Sequence, residues 1–275
     1  MSAQFGGDQY IAGQKEPVID MPTRFVDFMR VLVPMAGDDT TPEGEQVNIY
    51  GNHVGSWNFA ATAYLNRWKV KIYYEHYFDD HSQMFFQYGR WKDGHIGLEI
   101  TFPKNRFIDT FVYEGLGTKD QTGPMLYDSF WGEFEEQISA KDNYYNHYLY
   151  QGWQHWGMGI GNPLLPGPIY NKNGQITFIS NRVLAHHIGF CGSPCQSLSY
   201  RMLLSYSRHW GTYDNPLNEI KKQFNSLFEV TYAPQQLKGW SFTVSGAMDR
   251  GNLLGNNYGG MLVIRKQGII KSGNK

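Results

Sequence analysis

The stretch SLSYRMLLSYS, residues 197–207, alternates large apolar side chains with mostly small or polar ones. The apolar set is Leu198, Tyr200, Met202, Leu204 and Tyr206. Successive side chains of a β-strand point to opposite faces, so this period of two predicts a strand with one apolar and one largely polar face. The same alternation recurs in GWSFTVSGAMD (239–249) and FNSLFEVTY (224–232). Strands of this pattern are typical of a barrel wall with lipid outside and a polar lumen inside.

The same patterning predicts ten strands along the chain. Their predicted starts lie near residues 25, 55, 69, 96, 107, 182, 197, 223, 239 and 258. Tight turns follow alternate strands, and longer connections follow most of the others, near residues 34–54, 80–95, 115–181 and 208–222, with a shorter one near 250–257. Outer-membrane barrels have short periplasmic turns and long outer loops. The predicted fold class is therefore all-β, an antiparallel transmembrane (outer-membrane) β-barrel with long extracellular or plug loops.

The ends of the chain indicate one barrel domain over residues 1–275 that forms the C-terminal part of a larger barrel. The start, MSAQFGGDQYIAG, lacks the basic and apolar regions of a signal peptide, and residues 1–24 are poor in strand-forming residues. No apolar run approaches the roughly 18 residues of a transmembrane helix. An open sheet edge in lipid is costly, so we expect further strands upstream.

Composition narrows the class of partner. The 275 residues include 24 basic and 25 acidic side chains, for a net charge of -1, which gives no electrostatic reason to expect nucleic acid. Aromatic residues make up 16% of the chain although the mean hydropathy is -0.49. Many rings among many polar residues are typical of outer-membrane barrels and of carbohydrate-binding proteins.

Two cysteines, Cys191 and Cys195, flank Gly-Ser-Pro in FCGSPCQ, which predicts a tight turn. A disulfide across that turn and two free thiols are equally compatible with the sequence. One C-x3-C pair without further ligands is a weak metal signal.

Several stretches of the chain resemble a known family. They are GNHVGSWNF (51–59), GWQHWGMGIGNPLL (152–165), NRVLAHHIGF (181–190), YSRHWGTYDNP (206–216) and AMDRGNLLGNNYGGMLVIRKQG (247–268). Together they are similar to the Wzi capsule-assembly family in its Bacteroides-like branch. The resemblance implies a large outer-membrane β-barrel that acts as a lectin and holds capsular polysaccharide at the cell surface. It also implies outer-membrane lipid and the capsule export machinery as partners, but it assigns no binding residue here.

Residues 141–168, KDNYYNHYLYQGWQHWGMGIGNPLLPGP, carry many large rings without any strand or helix period. Sugar rings stack their C–H faces on Tyr and Trp, and their hydroxyls match polar side chains. The predicted carbohydrate-binding residues are Tyr144, Tyr145, Trp153, His155 and Trp156. Alternatively, these rings fold inward and plug the lumen, and both interpretations stay open at this point.

No catalytic, cofactor or metal site is predicted. The carboxylates considered for glycosidase chemistry, which needs two facing groups, are Asp79, Asp80, Glu133, Glu135, Glu136 and Asp249, and their spacing pairs none of them. His186 and His187 are adjacent, so on a strand they point to opposite faces. The predicted function is non-enzymatic binding of capsular polysaccharide.

Two alternative functions stay open. One is a passive porin, since Arg201 and Glu229 are predicted to face the lumen, and the other is a soluble glycan-active enzyme. In a barrel wall, Leu204 and Val244 face lipid, whereas Ser205 and Ser245 face the lumen.

Overall fold

The long strands of the chain form one nine-stranded antiparallel sheet in the computed structural model. The structure describes residues 2–9, 13–47, 49–79, 81–84, 86, 93–105, 107–127, 132, 135, 136, 138, 140–150 and 152–268. The strands are β1 Asp8–Gln9, β2 Ile19–Asp20, β3 Val54–Leu65, β4 Trp68–Asp79, β5 Gly94–Thr101, β6 Thr110–Gly117, β7 Gln154–His155, β8 Met158–Gly159, β9 Val183–Cys195, β10 Leu198–Gly211, β11 Pro216–Tyr232, β12 Trp240–Gly251 and β13 Asn257–Lys266. The helices are α1 Phe25–Leu32, α2 Glu43–Val47 and α3 His81–Met84, with one 3-10 turn at Pro168–Tyr170.

The sheet order is β13-β12-β11-β10-β9-β6-β5-β4-β3, and β1–β2 and β7–β8 form two small separate hairpins. The prediction of an antiparallel all-β fold is confirmed, and most predicted strands begin within three residues of the observed start. Strand β11 begins earlier, at Pro216. Within the described residues no strand pairs with the outer edge of β13, and the outer edge of β3 makes only one bridge, between Val54 and Ser2, so this sheet does not close on itself.

The strand predicted near residue 25 is wrong, because Phe25–Leu32 is the helix α1. Its apolar residues recur with helical spacing, for example at Phe25, Phe28 and Leu32. Asp27 fixes the start of the helix, since its carboxylate accepts a hydrogen bond from the Arg24 backbone N–H at 3.1 Å. No α-helix in the described part of the chain is long and apolar enough to cross a membrane.

The long connection predicted at residues 208–222 is also wrong. Strand β10 continues to Gly211 and β11 begins at Pro216, so only residues 212–215 connect them. The polar run that looked like a loop is strand, and Lys221 there pairs with Glu219 at 2.7 Å. The connection over residues 118–182 is long, as predicted.

The two cysteines lie on one strand instead of flanking a turn. Cys191 and Cys195 both belong to β9, and the turn comes later, at residues 196–197. Four residues of extended chain span about 13 Å, too far for a disulfide. Both thiols are free.

The two faces of the sheet differ in polarity, as the alternation predicts. Register pairs put Leu204 and Val244 on one face and Ser205 and Ser245 on the other. We call the first the outer face. Large outer-face side chains that are substantially exposed include Phe59, Ile72, Ile96, Ile188, Phe228, Val244, Leu262 and Ile264. The opposite, inner face is largely polar.

A small apolar core fastens the connection 118–182 to the inner face. Its buried members are Leu116, Leu165, Phe178, Val183 and Ala185. They join the ends of β6 and β9 to the aromatic segment. This core holds residues 141–168 over one end of the sheet.

Candidate functional site

A cavity of about 1070 Å³ lies between the inner face and the aromatic segment, residues 141–168. Ser56 on β3 and Asn225 on β11 both line it, although several strands separate them. The sheet must therefore curve around the space. The inner face forms the wall of this cavity, and the aromatic segment covers it.

A row of polar side chains crosses the wall, and we call it the polar row: Ser56, Glu75, His95, Glu114, His187 and Ser205. The Ser56 hydroxyl donates to Glu75 at 2.6 Å. The His95 ring lies between two carboxylates, with Nδ1 3.7 Å from Glu75 and Nε2 3.4 Å from Glu114. The row brings together residues that are far apart in sequence.

The far half of the polar row is set by strand register. Glu114 lies opposite His187, and His187 opposite Ser205. The His187 Nδ1 and the Ser205 hydroxyl are 2.6 Å apart. Further along the sheet, Asn225 donates to Asp249 at 2.7 Å. Successive side chains of a strand point to opposite faces of the sheet. The members of the polar row all occupy inward-pointing positions of their own strands, so all of them lie on the inner face.

Gly97 makes room for a contact between Tyr73 and Glu114, a member of the polar row. Gly97 lies opposite both Tyr73 and Glu114 in the register. The Tyr73 ring passes over it, and the Tyr73 hydroxyl donates to the Glu114 carboxylate. A Cβ at position 97 would overlap the Tyr73 ring. The backbone there must come close to another side chain, which only glycine permits without a shift.

Two predicted tyrosines anchor the aromatic segment. Tyr144 is buried, and Tyr145 packs edge-on against Phe178 with ring centroids 5.2 Å apart. The Tyr145 N–H donates to Asp79 at 2.7 Å, and its hydroxyl accepts from the Asn162 N–H at 3.2 Å. Burial raises the pKa of both phenols, so both stay protonated and neutral. Both residues line the cavity.

The remaining predicted residues separate into two groups. Trp153 is half-buried and lines the cavity, and its enclosed indole N–H has no acceptor among the described residues. His155 and Trp156 sit at the β7–β8 turn, outside the cavity lining, and Trp156 is 84% exposed. The structure thus brings Tyr144, Tyr145 and Trp153 together and leaves the other two apart.

Two buried ionisable groups support the loops around the site. Burial raises the pKa of Asp93 to about 6, although the N–H groups of Asp120 and Gln121 donate to its carboxylate and oppose that rise. Burial lowers the pKa of His147 to about 4. The neutral ring accepts a hydrogen bond from the Leu149 N–H at 3.1 Å. Both groups hold backbone in place.

Sequence reasoning missed Glu75, His95 and Glu114. Of the carboxylates it considered, Asp79 lines the cavity, and Asp249 accepts the Asn225 bond. Asp80 and Glu133 lie outside the described residues. The prediction that His186 and His187 face opposite ways is confirmed, since His186 contacts the outer-face Tyr113 hydroxyl at 2.8 Å. The sequence signal that could have found these three residues is the alternation along β4, β5 and β6, which places each of them at an inner-face position.

Chemically, the site offers rings, carboxylates, imidazoles, amides and hydroxyls around one half-open cavity. Over the part of the chain that is described, no three His, Cys, Asp or Glu side chains are arranged to hold a metal ion. Such a surface suits a ligand that has both apolar C–H faces and many hydroxyls. Comparison of the chain with known protein families, characterised proteins and solved structures finds no match.

Proposed function

We propose that this protein is a non-enzymatic outer-membrane β-barrel that binds capsular polysaccharide and retains it at the cell surface. The observation that carries the proposal is the polarity of the two sheet faces, which is the reverse of that expected for a water-soluble protein. The inner face is polar and lines a ring-covered cavity, whereas the outer face is apolar. The resemblance to the Wzi family points the same way.

The outer face is the argument for lipid. Val244 lies between Val230 and Leu262 in the register, and it is 61% exposed. Water-soluble monomers rarely expose contiguous apolar patches above a few hundred Å². Hydrocarbon contact removes this cost, and it is the environment of barrel strands that alternate apolar-out and polar-in. We therefore propose that this face contacts outer-membrane lipid.

The cavity is the argument for a glycan. Tyr145 and Trp153 present rings to it, and Ser205 and Asn225 present polar groups from the wall. Rings stack on sugar C–H faces, and hydroxyls and amides exchange hydrogen bonds with sugar hydroxyls. Ligand pockets typically measure roughly 300–1,000 Å³, so the volume suits an oligosaccharide segment of a longer polymer.

The arrangement of the carboxylates supports binding without hydrolysis. A glycosidase holds its sugar between two carboxylates. Here the His95 ring occupies the space between Glu75 and Glu114. A substrate cannot take that place while the row is intact.

A passive porin is the second candidate, and one observation favours it. Arg201 and Glu229 form an ion pair on the inner face, with the Arg201 Nε 2.5 Å from the carboxylate. Charged inner-face side chains are typical of porin constrictions, but the aromatic segment covers one end of this space. Single-channel conductance in planar bilayers distinguishes the two: an open porin conducts, and a covered barrel conducts little.

The test of glycan binding uses a matched pair of tryptophans. Trp153→Ala should weaken binding of capsular polysaccharide by about tenfold or more, because stacking on a half-buried ring is lost. Trp156→Ala, in the same segment but outside the cavity lining, should change binding less than twofold. Binding is measured by calorimetry in detergent, and heat-dependent gel mobility checks the fold. Equal effects of the two changes, with folding intact, would refute the proposed site.

A further inference from the structure

A second cavity, of about 840 Å³, lies between the aromatic segment and the N-terminal part of the chain. Residues 4–8 and Met21 line it from the N-terminal part, and residues 146–150, 176 and 177 line it from the long connection. No described residue lines both this space and the first cavity, on the inner face of the sheet. Tyr145 lines the first cavity and its neighbour Asn146 lines the second. The aromatic segment therefore borders two separate spaces.

Tyr148 presents an aromatic ring to the second cavity, and 61% of the residue is exposed. The His147 ring stacks against it, with centroids 4.9 Å apart and planes inclined by 28°. His147 is itself held in place, because its Nδ1 accepts from the Leu149 N–H and its Nε2 lies 3.5 Å from Glu45. The Tyr148 ring is therefore supported from within the protein, and much of its surface stays accessible to a ligand.

Gln4 supplies a hydrogen-bond acceptor to the same cavity. Its side-chain carbonyl oxygen is buried and accepts no hydrogen bond from the described residues. The Gln4 backbone is fixed beside Gly51, since its N–H donates to the Gly51 carbonyl oxygen at 2.7 Å. A buried acceptor without a donor is unfavourable. A ligand hydroxyl that enters the cavity can satisfy it.

From this we infer that the second cavity is a second glycan subsite, in which a sugar ring stacks on Tyr148 and a hydroxyl of the same glycan donates to Gln4. An exposed ring beside an unsatisfied acceptor is complementary to the C–H faces and hydroxyls of a sugar. The inference rests on the proposed glycan binding, and it adds a second contact with the same polysaccharide. A polymer held at two subsites dissociates less readily, because each contact keeps the other close to its subsite.

The test measures the Kd of capsular polysaccharide for the full chain in detergent. Tyr148→Ala should raise this Kd about tenfold, because the stacking surface is lost. Tyr148→Phe keeps the ring and should change the Kd less than twofold. The matched control is Trp156→Ala, which removes an even more exposed ring of the same segment that lines neither cavity. Heat-dependent gel mobility checks that each variant folds.

Gln4 tests the subsite from the opposite side of the cavity. Gln4→Met keeps the size of the side chain without its carbonyl oxygen, and it should raise the Kd about fivefold. Gln175→Met changes an exposed glutamine outside both cavities, and it should have less than a twofold effect.

Trp153→Ala, measured beside these variants, separates the two subsites. If Trp153→Ala weakens binding but Tyr148→Ala does not, the inference is overturned and the proposed function stands. If neither change weakens binding, both fail. If Tyr148→Ala does not fold, Gln4→Met decides in its place, and an unchanged Kd for that variant overturns the inference.

Discussion

Replacing Val244 with Arg tests whether the outer face contacts lipid. The residue lies near the middle of β12, four positions from Trp240 at the strand end. Four residues rise about 13 Å along a strand, and the usual tilt of barrel strands reduces this to about 10 Å of depth. An arginine side chain is too short to bring its guanidinium fully out of hydrocarbon from there. We therefore expect Val244→Arg to lower the free energy of unfolding by about 2–4 kcal/mol in a bilayer.

The matched control is Ala247→Arg, on the same strand but on the inner face. Its position is exposed and makes no side-chain hydrogen bond, so the change should cost about 1 kcal/mol or less. Both variants are unfolded with urea from phosphatidylcholine vesicles, and tryptophan fluorescence follows the transition. In water both positions would tolerate Arg equally, because both are exposed. Equal costs at the two positions would refute a lipid-facing outer surface.

Three other predictions concern the connections. A cysteine at Asn173 should react with an impermeant label on intact cells and one at Gln235 should not, whereas the reverse would invert the topology. In pH-dependent urea titrations the wild type should lose about 3 kcal/mol of stability relative to Asp93→Asn as pH rises from about 4 to about 6, because the folded pKa of the buried Asp93 is above its unfolded value. Phe178→Ala should cost about 3–5 kcal/mol locally and speed hydrogen exchange in residues 141–168 but not in β12, since Phe178 is buried beneath that segment.

Most of the sheet was predictable from its period of two. The alternation around Leu204 and Val244 fixes both the strands and their faces, because one face must differ in polarity from the other. The lengths of the strands were harder to predict. The polar start of β11 near Lys221 looks like a loop until its partner strand is known. The period itself misled at Phe25–Leu32, where a short apolar run fits a helix as well as a strand.

The site was predictable only in part. The rings of the aromatic segment mark it in the sequence, and Tyr145 and Trp153 do line the cavity. The polar row could not be assembled in the same way. Glu75, His95 and Glu114 lie on three strands, and their contact depends on pairing register and on the missing side chain of Gly97. Neither the register nor that close approach can be read from one strand alone.

The place of β6 beside β9 has a consequence for how the chain folds. Every other neighbouring pair in the sheet is consecutive along the chain, whereas residues 118–182 separate these two strands. The sheet is therefore two stacks of local hairpins, β3–β6 and β9–β13, joined by a single seam. Closing so long a loop costs roughly 2–3 kcal/mol more chain entropy than closing a two-residue turn. We expect each stack to form first and the seam to form last.

The same loop contains the aromatic segment. The seam is complete only when Phe178 and Leu165 have packed onto the ends of β6 and β9. A ligand that binds only the ordered segment stabilises the folded state by mass action. Such a ligand should therefore slow the separation of the two stacks. The stability of the seam should then depend on the occupancy of the cavity more than the stability of any other strand pair in the sheet.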